Sequence, residues 1–196
     1  MAFIELVTDE AAEADAADLL AALRAAGEVP NHARLLALRP RVLRAWRELL
    51  GAITEHMDPR RYELATLAAA RALGSSYCML AHGKVMLDRG FADAGALRAI
   101  AADHRAAGLD QVDVAVMDLA ARVATDAASV TQVDVDRLLR LGLTQAEVLD
   151  VALAAAARCF FSSTLDALGV QADASYAALE PGLRDALTIG RPIAGA

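Results

Sequence analysis

The sequence predicts an all-α fold, a helical bundle, on three observations. Apolar residues make up 57% of the 196-residue chain but aromatic residues only 4%, so alanine, leucine and valine carry the apolar content. Alanine is the strongest helix former, and its small side chain lets helix axes approach closely. Glycines follow the apolar runs where helices would stop, at Gly27, Gly74, Gly90, Gly142 and Gly169. No stretch alternates apolar and polar residues as a half-buried strand would.

The first helix is expected from Thr8 or Asp9 to Ala26, and the stretch from Glu28 through Pro30 to Asn31 reads as a connection. Leu35, Leu36 and Leu38 precede Pro40, from which a helix to Leu50 sets Val42, Leu43, Trp46 and Leu49 on one stripe, with Trp46 in the core. Asp58-Pro59 starts the next helix, because Asp caps free N–H groups and Pro fits the first turn. It should run to Leu73. Another helix begins at Ser75 or Ser76 and ends near Arg89, and a further one spans Ala92 to Asp103. Beyond Gly108-Leu109-Asp110, Val112, Val116, Leu119 and Val123 keep helical spacing. Thr131 to Leu141 reads as a short helix. Thr144-Gln145-Ala146-Glu147 is a capping box that opens a long apolar helix towards Leu168. The tail after Pro181 should be ordered only by docking.

The length suits one domain, 1–196, with N-terminal helices over 8–50, a helix pair over 58–90 and C-terminal helices over 92–180. A faint repeat lays Glu63–Ala70 over Glu147–Ala154, Cys78 over Ser162, His82 over Asp166 and Ser75 over Cys159. Alanine-rich helices resemble one another without duplication, so a single bundle and two pseudo-repeated halves both stay open.

The net charge of −7 comes with no basic tract, which argues against nucleic acid as a partner. Met1 to Glu10 carries Glu5, Asp9 and Glu10 and no basic start, so no signal peptide is read. Charged residues break the apolar runs short of the ~18 residues a membrane span needs. A cytoplasmic protein with no membrane partner is expected. Two cysteines, Cys78 and Cys159, make no disulfide framework.

The chemistry concentrates between Glu63 and Gly83. Cys78 falls just inside a helix that starts after Gly74, where the partial positive charge of a helix N-terminus favours a thiolate. His82 is four residues on and shares its helix face, so it can hydrogen-bond the sulfur or relay its proton. Glu63 lies among apolar neighbours, where a carboxylate needs a partner, and it can serve as a proton acceptor. Each residue has a plainer reading alone: a small core residue, a structural histidine, a surface charge. The joint spacing after a Gly-Ser-Ser break makes Glu63, Cys78 and His82 the catalytic candidates, with Ser75 and Tyr77 in support. A zinc site from Cys78, His82, Cys159 and His104 lacks paired local spacing, so no metal and no cofactor is expected. Ser162-Ser163 near Asp166 lacks the glycine elbow of a serine hydrolase. His32 and His56 flank helix boundaries and are expected on the surface.

This block resembles the signature of the carboxymuconolactone decarboxylase/alkylhydroperoxidase D-like (AhpD-like) proteins, a glutamate followed by Cys-x-x-Cys-x-x-x-His at a helix start. Glu63, Cys78 and His82 match it in type and spacing, and the likeness extends over most of residues 40–170. The resemblance implies an AhpD-like helical bundle, Cys78 as the peroxide-attacking thiol, and Glu63 with His82 as its proton relay. It also implies a homo-oligomer, a trimer or hexamer. One departure matters: the family's first cysteine falls on Ser75, so no two-thiol cycle can run within the motif. The expected activity is therefore thiol-dependent, antioxidant-type peroxide reduction by a single cysteine, with an external thiol as reductant. The alternatives are a decarboxylase-like enzyme moving protons on a small acidic substrate, for which no motif places an arginine although Arg71 and Lys84 are near, and a non-catalytic member. Cys159 could replace the missing thiol only within disulfide reach; its plainer reading is a small residue in an apolar helix.

Overall fold

The computed structural model describes residues 2–12 and 14–195. Among these there are ten α-helices, two short 3-10 turns and no strand, an all-α bundle. The axis of the bundle is α4 (Pro59–Leu73). Asp58 caps it by accepting the Arg61 N–H at 2.8 Å, Pro59 occupies its first turn, and Gly74 closes it at φ 72°, a left-handed conformation that costs glycine little. Every residue from Tyr62 to Ala70 is buried. A helix buried all round needs neighbours on every side, and here they are α5 (Ser76–Asp88), α7 (Gln111–Asp126) and α9 (Gln145–Ala167). The alanines of α4 let α7 and α9 come close. The buried Asp113 of α7 is paired with Arg60 and lies 3.8 Å from Arg61, which ties the start of α4 to α7.

Several boundaries depart from expectation. α1 (Ala14–Ala25) begins later than Thr8 or Asp9. Residues 9–11 form a turn instead, with Thr8 accepting the Ala11 N–H, while Asp9 is drawn aside by Arg24 and Arg34. Glu13, inside the expected span, lies outside the described residues. The supposed connection and the leucine run after it contain α2 (Asn31–Leu36). α3 (Pro40–Thr54) passes Leu50 and the exposed Gly51, because its last turn buries Ile53. α6 (Ala94–Asp103) starts after Asp93, whose carboxylate accepts the Ala96 N–H. α8 (Gln132–Arg140) and α9 each carry a complete capping box, from Thr131/Asp134 and Thr144/Glu147.

α9 runs unbroken through Arg158, the position that the repeat would set over Gly74. The second segment is thus one long helix where the first is two helices around a break. α9 is also the one described helix long and apolar enough to cross a membrane, but half of it is buried in the bundle. The tail docks as expected. In α10 (Pro181–Leu187), Leu183 and Leu187 are fully buried, against α6 and α5. Gly190 then packs so tightly on the α4–α5 corner that a Cβ there would sit 2.1 Å from the Gly74 carbonyl oxygen, and its N–H donates to Ser76 Oγ at 2.7 Å. The corner that launches the Cys78 helix is therefore clamped from outside.

Candidate active site

Cys78 is the third residue of α5 and is 1% exposed. Its sulfur forms part of the wall of a cavity of about 180 Å³. The sulfur accepts two hydrogen bonds, from Ser162 Oγ at 3.1 Å and from Arg158 Nη1 at 3.5 Å. Both donors come from one face of α9, at i and i+4. His82 lines the same cavity one turn along α5, but its bond goes elsewhere than the sulfur: Nδ1 meets Glu63 Oε2 at 2.6 Å. The buried Glu63 thus has the partner that its apolar surroundings demand. Burial and Arg158 push His82 below the ordinary histidine range against the opposing pull of Glu63, so the ring is neutral near pH 7. With Glu63 accepting at Nδ1–H, Nε2 is the unprotonated nitrogen and the one available to take a proton.

Arg158 is 2% exposed and has no carboxylate partner among the described residues. It donates to Cys78 Sγ and to Tyr62 Oη (3.4 Å), its guanidinium lies 5.3 Å from the Phe161 ring centre, and its Nε has no hydrogen bond. Burial works against its charge, but Cys78 and Tyr62 outweigh burial and hold it protonated above the ordinary arginine value. A buried cation is stabilised by electron-rich neighbours, and the Cys78 sulfur is one of the two groups to which Arg158 donates.

The opposite wall comes from α2, the α9 aromatics and the segment after α9. Tyr77 donates its O–H to Asp173 at 2.6 Å, and its oxygen receives the His32 backbone N–H at 3.2 Å and His32 Nδ1 at 3.1 Å. Trp46 stacks on Phe161 with ring centres 4.8 Å apart.

The structure therefore brings together Glu63, Cys78, His82 and Tyr77. Ser75 is different. It is fully buried, its hydroxyl is turned towards Asp166 without a well-formed hydrogen bond, and it does not line the cavity. His32 overturns the expectation of a surface residue: Tyr77 draws its ring inward, and it forms part of the cavity wall. Arg71 and Lys84 are engaged elsewhere, Arg71 with the carbonyls of Ala101 and Ala102 and Lys84 with Asp88. Cys159 turns to α7, with its thiol towards the Ala124 carbonyl at 3.9 Å, and both cysteines are free. His104 pairs with Asp118 at 2.9 Å. Sequence reasoning missed Arg158 as a site residue. Its only signal was an arginine in the middle of an otherwise apolar helix.

Residues 40–102, which contain Glu63, Cys78 and His82, match the carboxymuconolactone decarboxylase family. The fold is that of the AhpD-like proteins. The core of an uncharacterized peroxidase-related AhpD-type protein from Ralstonia eutropha JMP134 superposes with a TM-score of 0.81 at 21% identity, covering 89% of this chain and 94% of that one. The chain is thus similar to the carboxymuconolactone decarboxylase/AhpD-like proteins in the sequence of residues 40–102 and in its fold. An uncharacterized peroxidase-related protein from Silicibacter sp. TM1040 is similar at a TM-score of 0.77 and 18% identity, covering 90% and 91% of the two chains. A cysteine-to-alanine variant of the debrominase Bmp8, in complex with 2,3,4-tribromopyrrole, is similar at 0.71 and 17%, covering 93% and 94%. No curated protein sequence matches the chain. At these identities the structural likeness establishes the fold, and the chemistry must be argued from the site.

Proposed function

We propose that this protein is a thiol-dependent oxidoreductase that reduces a peroxide with Cys78 as its single reacting thiol. The observation that carries the reading is the unpaired buried guanidinium of Arg158 beside the Cys78 sulfur, with the neutral His82 held by Glu63 in the same cavity. His82 Nε2 takes the thiol proton and Arg158 holds the resulting thiolate. The thiolate attacks the distal oxygen of the hydroperoxide, the O–O bond breaks, Cys78 becomes a sulfenic acid, and the leaving alkoxide takes the proton from His82. An external thiol then displaces water from the sulfenic acid to form a mixed disulfide. A second thiol releases the Cys78 thiolate and leaves as the external disulfide. Ser75 rules out an internal disulfide within the motif, and Cys159 faces another helix. The test is peroxide consumption with a small thiol reductant. Cys78→Ser should lose at least about a hundredfold in rate, and equal rates in variant and wild type would end the proposal.

A decarboxylase-like reading gains one observation, because Arg158 supplies the cation for a substrate carboxylate that no sequence motif placed. It separates cleanly: that chemistry would survive Cys78→Ser and fail in His82→Ala. Self-association is a further part of the proposal. α3 and α9 border an apolar groove of about 590 Å³ and leave Val42, Leu49, Leu153 and Phe160 exposed along it. The exposed Arg41 and Arg47 of α3 and the half-buried Asp150 of α9 give a second copy opposite charges to meet. A trimer or hexamer by sedimentation, dissociated by Leu153→Glu, would support it, and a monomeric wild type would refute it.

A further inference from the structure

We infer that His32 is a substrate-binding residue of the Cys78 cavity, where its Nε2 serves as a fixed hydrogen-bond acceptor for an apolar molecule carrying an O–H or N–H donor. This deepens the proposed function and rests on that cavity being the reactive site.

The argument is one of donors and acceptors. A tyrosine hydroxyl has one hydrogen and two lone pairs. The Tyr77 hydrogen is committed to the Asp173 carboxylate at 2.6 Å, and that carboxylate also accepts the Asn31 N–H at 2.6 Å. One lone pair on the Tyr77 oxygen receives the His32 backbone N–H. The remaining contact, His32 Nδ1 at 3.1 Å, must then be a donation from the histidine. His32 is therefore the Nδ1–H tautomer, and its Nε2 carries a lone pair with no protein hydrogen bond among the described residues. The ring meets Tyr77 and Phe161 edge-on, at centroid distances of 5.7 and 5.2 Å, so its orientation is set from two sides.

The same logic already fixes His82, through Glu63. The cavity thus presents two imidazole nitrogens in the same protonation form, each anchored from behind by a carboxylate, His82 directly and His32 through Tyr77. Burial, then Arg158 and His82, push His32 down to about 4, so it is an acceptor near pH 7. His32 is half-buried, and a ligand O–H or N–H can take the lone pair of its Nε2 in the cavity. Pro30, Trp46, Leu50, Ala81 and Phe161 also line the cavity and suit an apolar frame. A hydroperoxide O–H, a phenol and an azole all meet this description. A purely hydrocarbon or halocarbon molecule does not.

Trp46 is the only tryptophan and lines the cavity, so its fluorescence reports occupancy without any turnover. The probes are phenol and fluorobenzene, alike in shape, of which only phenol donates. Phenol should bind wild-type protein about tenfold more tightly, the worth of one net hydrogen bond. His32→Leu should bring the ratio close to one, and His32→Gln, which keeps an acceptor oxygen, should restore part of it. Tyr77→Phe, which frees the tautomer, should give an intermediate ratio even if His32→Leu does not fold. Equal binding of the two probes by wild type would overturn the proposal, as would an undiminished ratio in folded His32→Leu. Because binding is read directly, a failed peroxide assay leaves this test intact, and the reverse holds.

Discussion

The two walls of the Cys78 cavity are built in opposite ways. One wall is local: Cys78 and His82, with Glu63 bonded behind His82, lie within twenty residues on the pair α4–α5, and Gly74 makes the turn between the helices. The other is assembled from afar. Arg158 and Ser162 reach Cys78 across 80 and 84 residues of chain, and Asp173 reaches Tyr77 across 96. The local wall holds a carboxylate–histidine pair that moves a proton. The distant wall supplies what that pair lacks, a positive charge at the sulfur and a second anchored imidazole. The difference teaches that a motif can name the reacting atoms while other parts of the chain set their electrostatics.

The distant wall should contribute to acid lability. His32 titrates at about 4 when folded and near 6.5 when unfolded, so the unfolded chain binds the proton more readily. Stability from this group is full above pH 6.5, falls as the pH drops towards 4, and levels off below. The fall is worth about 3 kcal/mol at most. Burial and Arg158 shift His82 in the same direction, which adds to the slope. Urea unfolding of wild type and His32→Gln between pH 4 and 7 checks it. Parallel stability curves would show that the distant imidazole is not the acid-sensitive element.

Arg158→Met is the next largest effect and splits activity from stability. It removes the guanidinium that donates to the sulfur, so the peroxide rate should fall about a hundredfold. Stability should change by no more than about 1 kcal/mol, because a buried charge without a carboxylate partner contributes little to folding once an apolar chain of similar length fills its place. Stopped-flow peroxide kinetics and thermal unfolding on one preparation decide it. A large loss of stability with little loss of rate would make Arg158 a structural residue and return the chemistry to the local wall. Glu63→Gln acts on that local wall and should cost less, about tenfold, through a loosened His82 tautomer. Its signature is an altered pH–rate profile, and an unchanged profile would detach Glu63 from the relay.

What was legible in the sequence follows the same division. Asp58-Pro59, Gly74 and the Thr144–Glu147 box are local signals with local causes, and α4 and α9 appear with the expected starts. That the buried Glu63 needs a partner was legible in the residues, while its pairing with His82 was implied only by the family resemblance. His32 was misread because its place depends on Tyr77, 45 residues away, and nothing nearby in the chain signals an inward ring. α2 was missed because six residues carry too little periodicity to stand out. The faint repeat left a single bundle and two halves both open, and the two segments differ in architecture, since an arginine at the position of Gly74 lets the helix continue. Yet the register that laid Cys78 over Ser162 paired two residues that do touch, at 3.1 Å.

The smallest expected effect is at Cys159, and it tests whether the two cysteines are as different as their settings. Burial pushes the Cys159 thiol up, its contact is the Ala124 carbonyl at 3.9 Å, and its side chain points to α7 while Arg158 and Ser162 point to Cys78. A raised thiol facing a carbonyl is a poor nucleophile and a poor resolving partner. Cys159→Ala should change the peroxide rate by less than about twofold and cost about 1 kcal/mol or less, the loss of one small partly buried group. Mass spectrometry after mild peroxide should find sulfenic acid on Cys78 and an unmodified Cys159. A Cys78–Cys159 disulfide would reverse the comparison, because it would require α5 and α9 to move until the two sulfurs meet, and the single-thiol cycle would give way to an internal one.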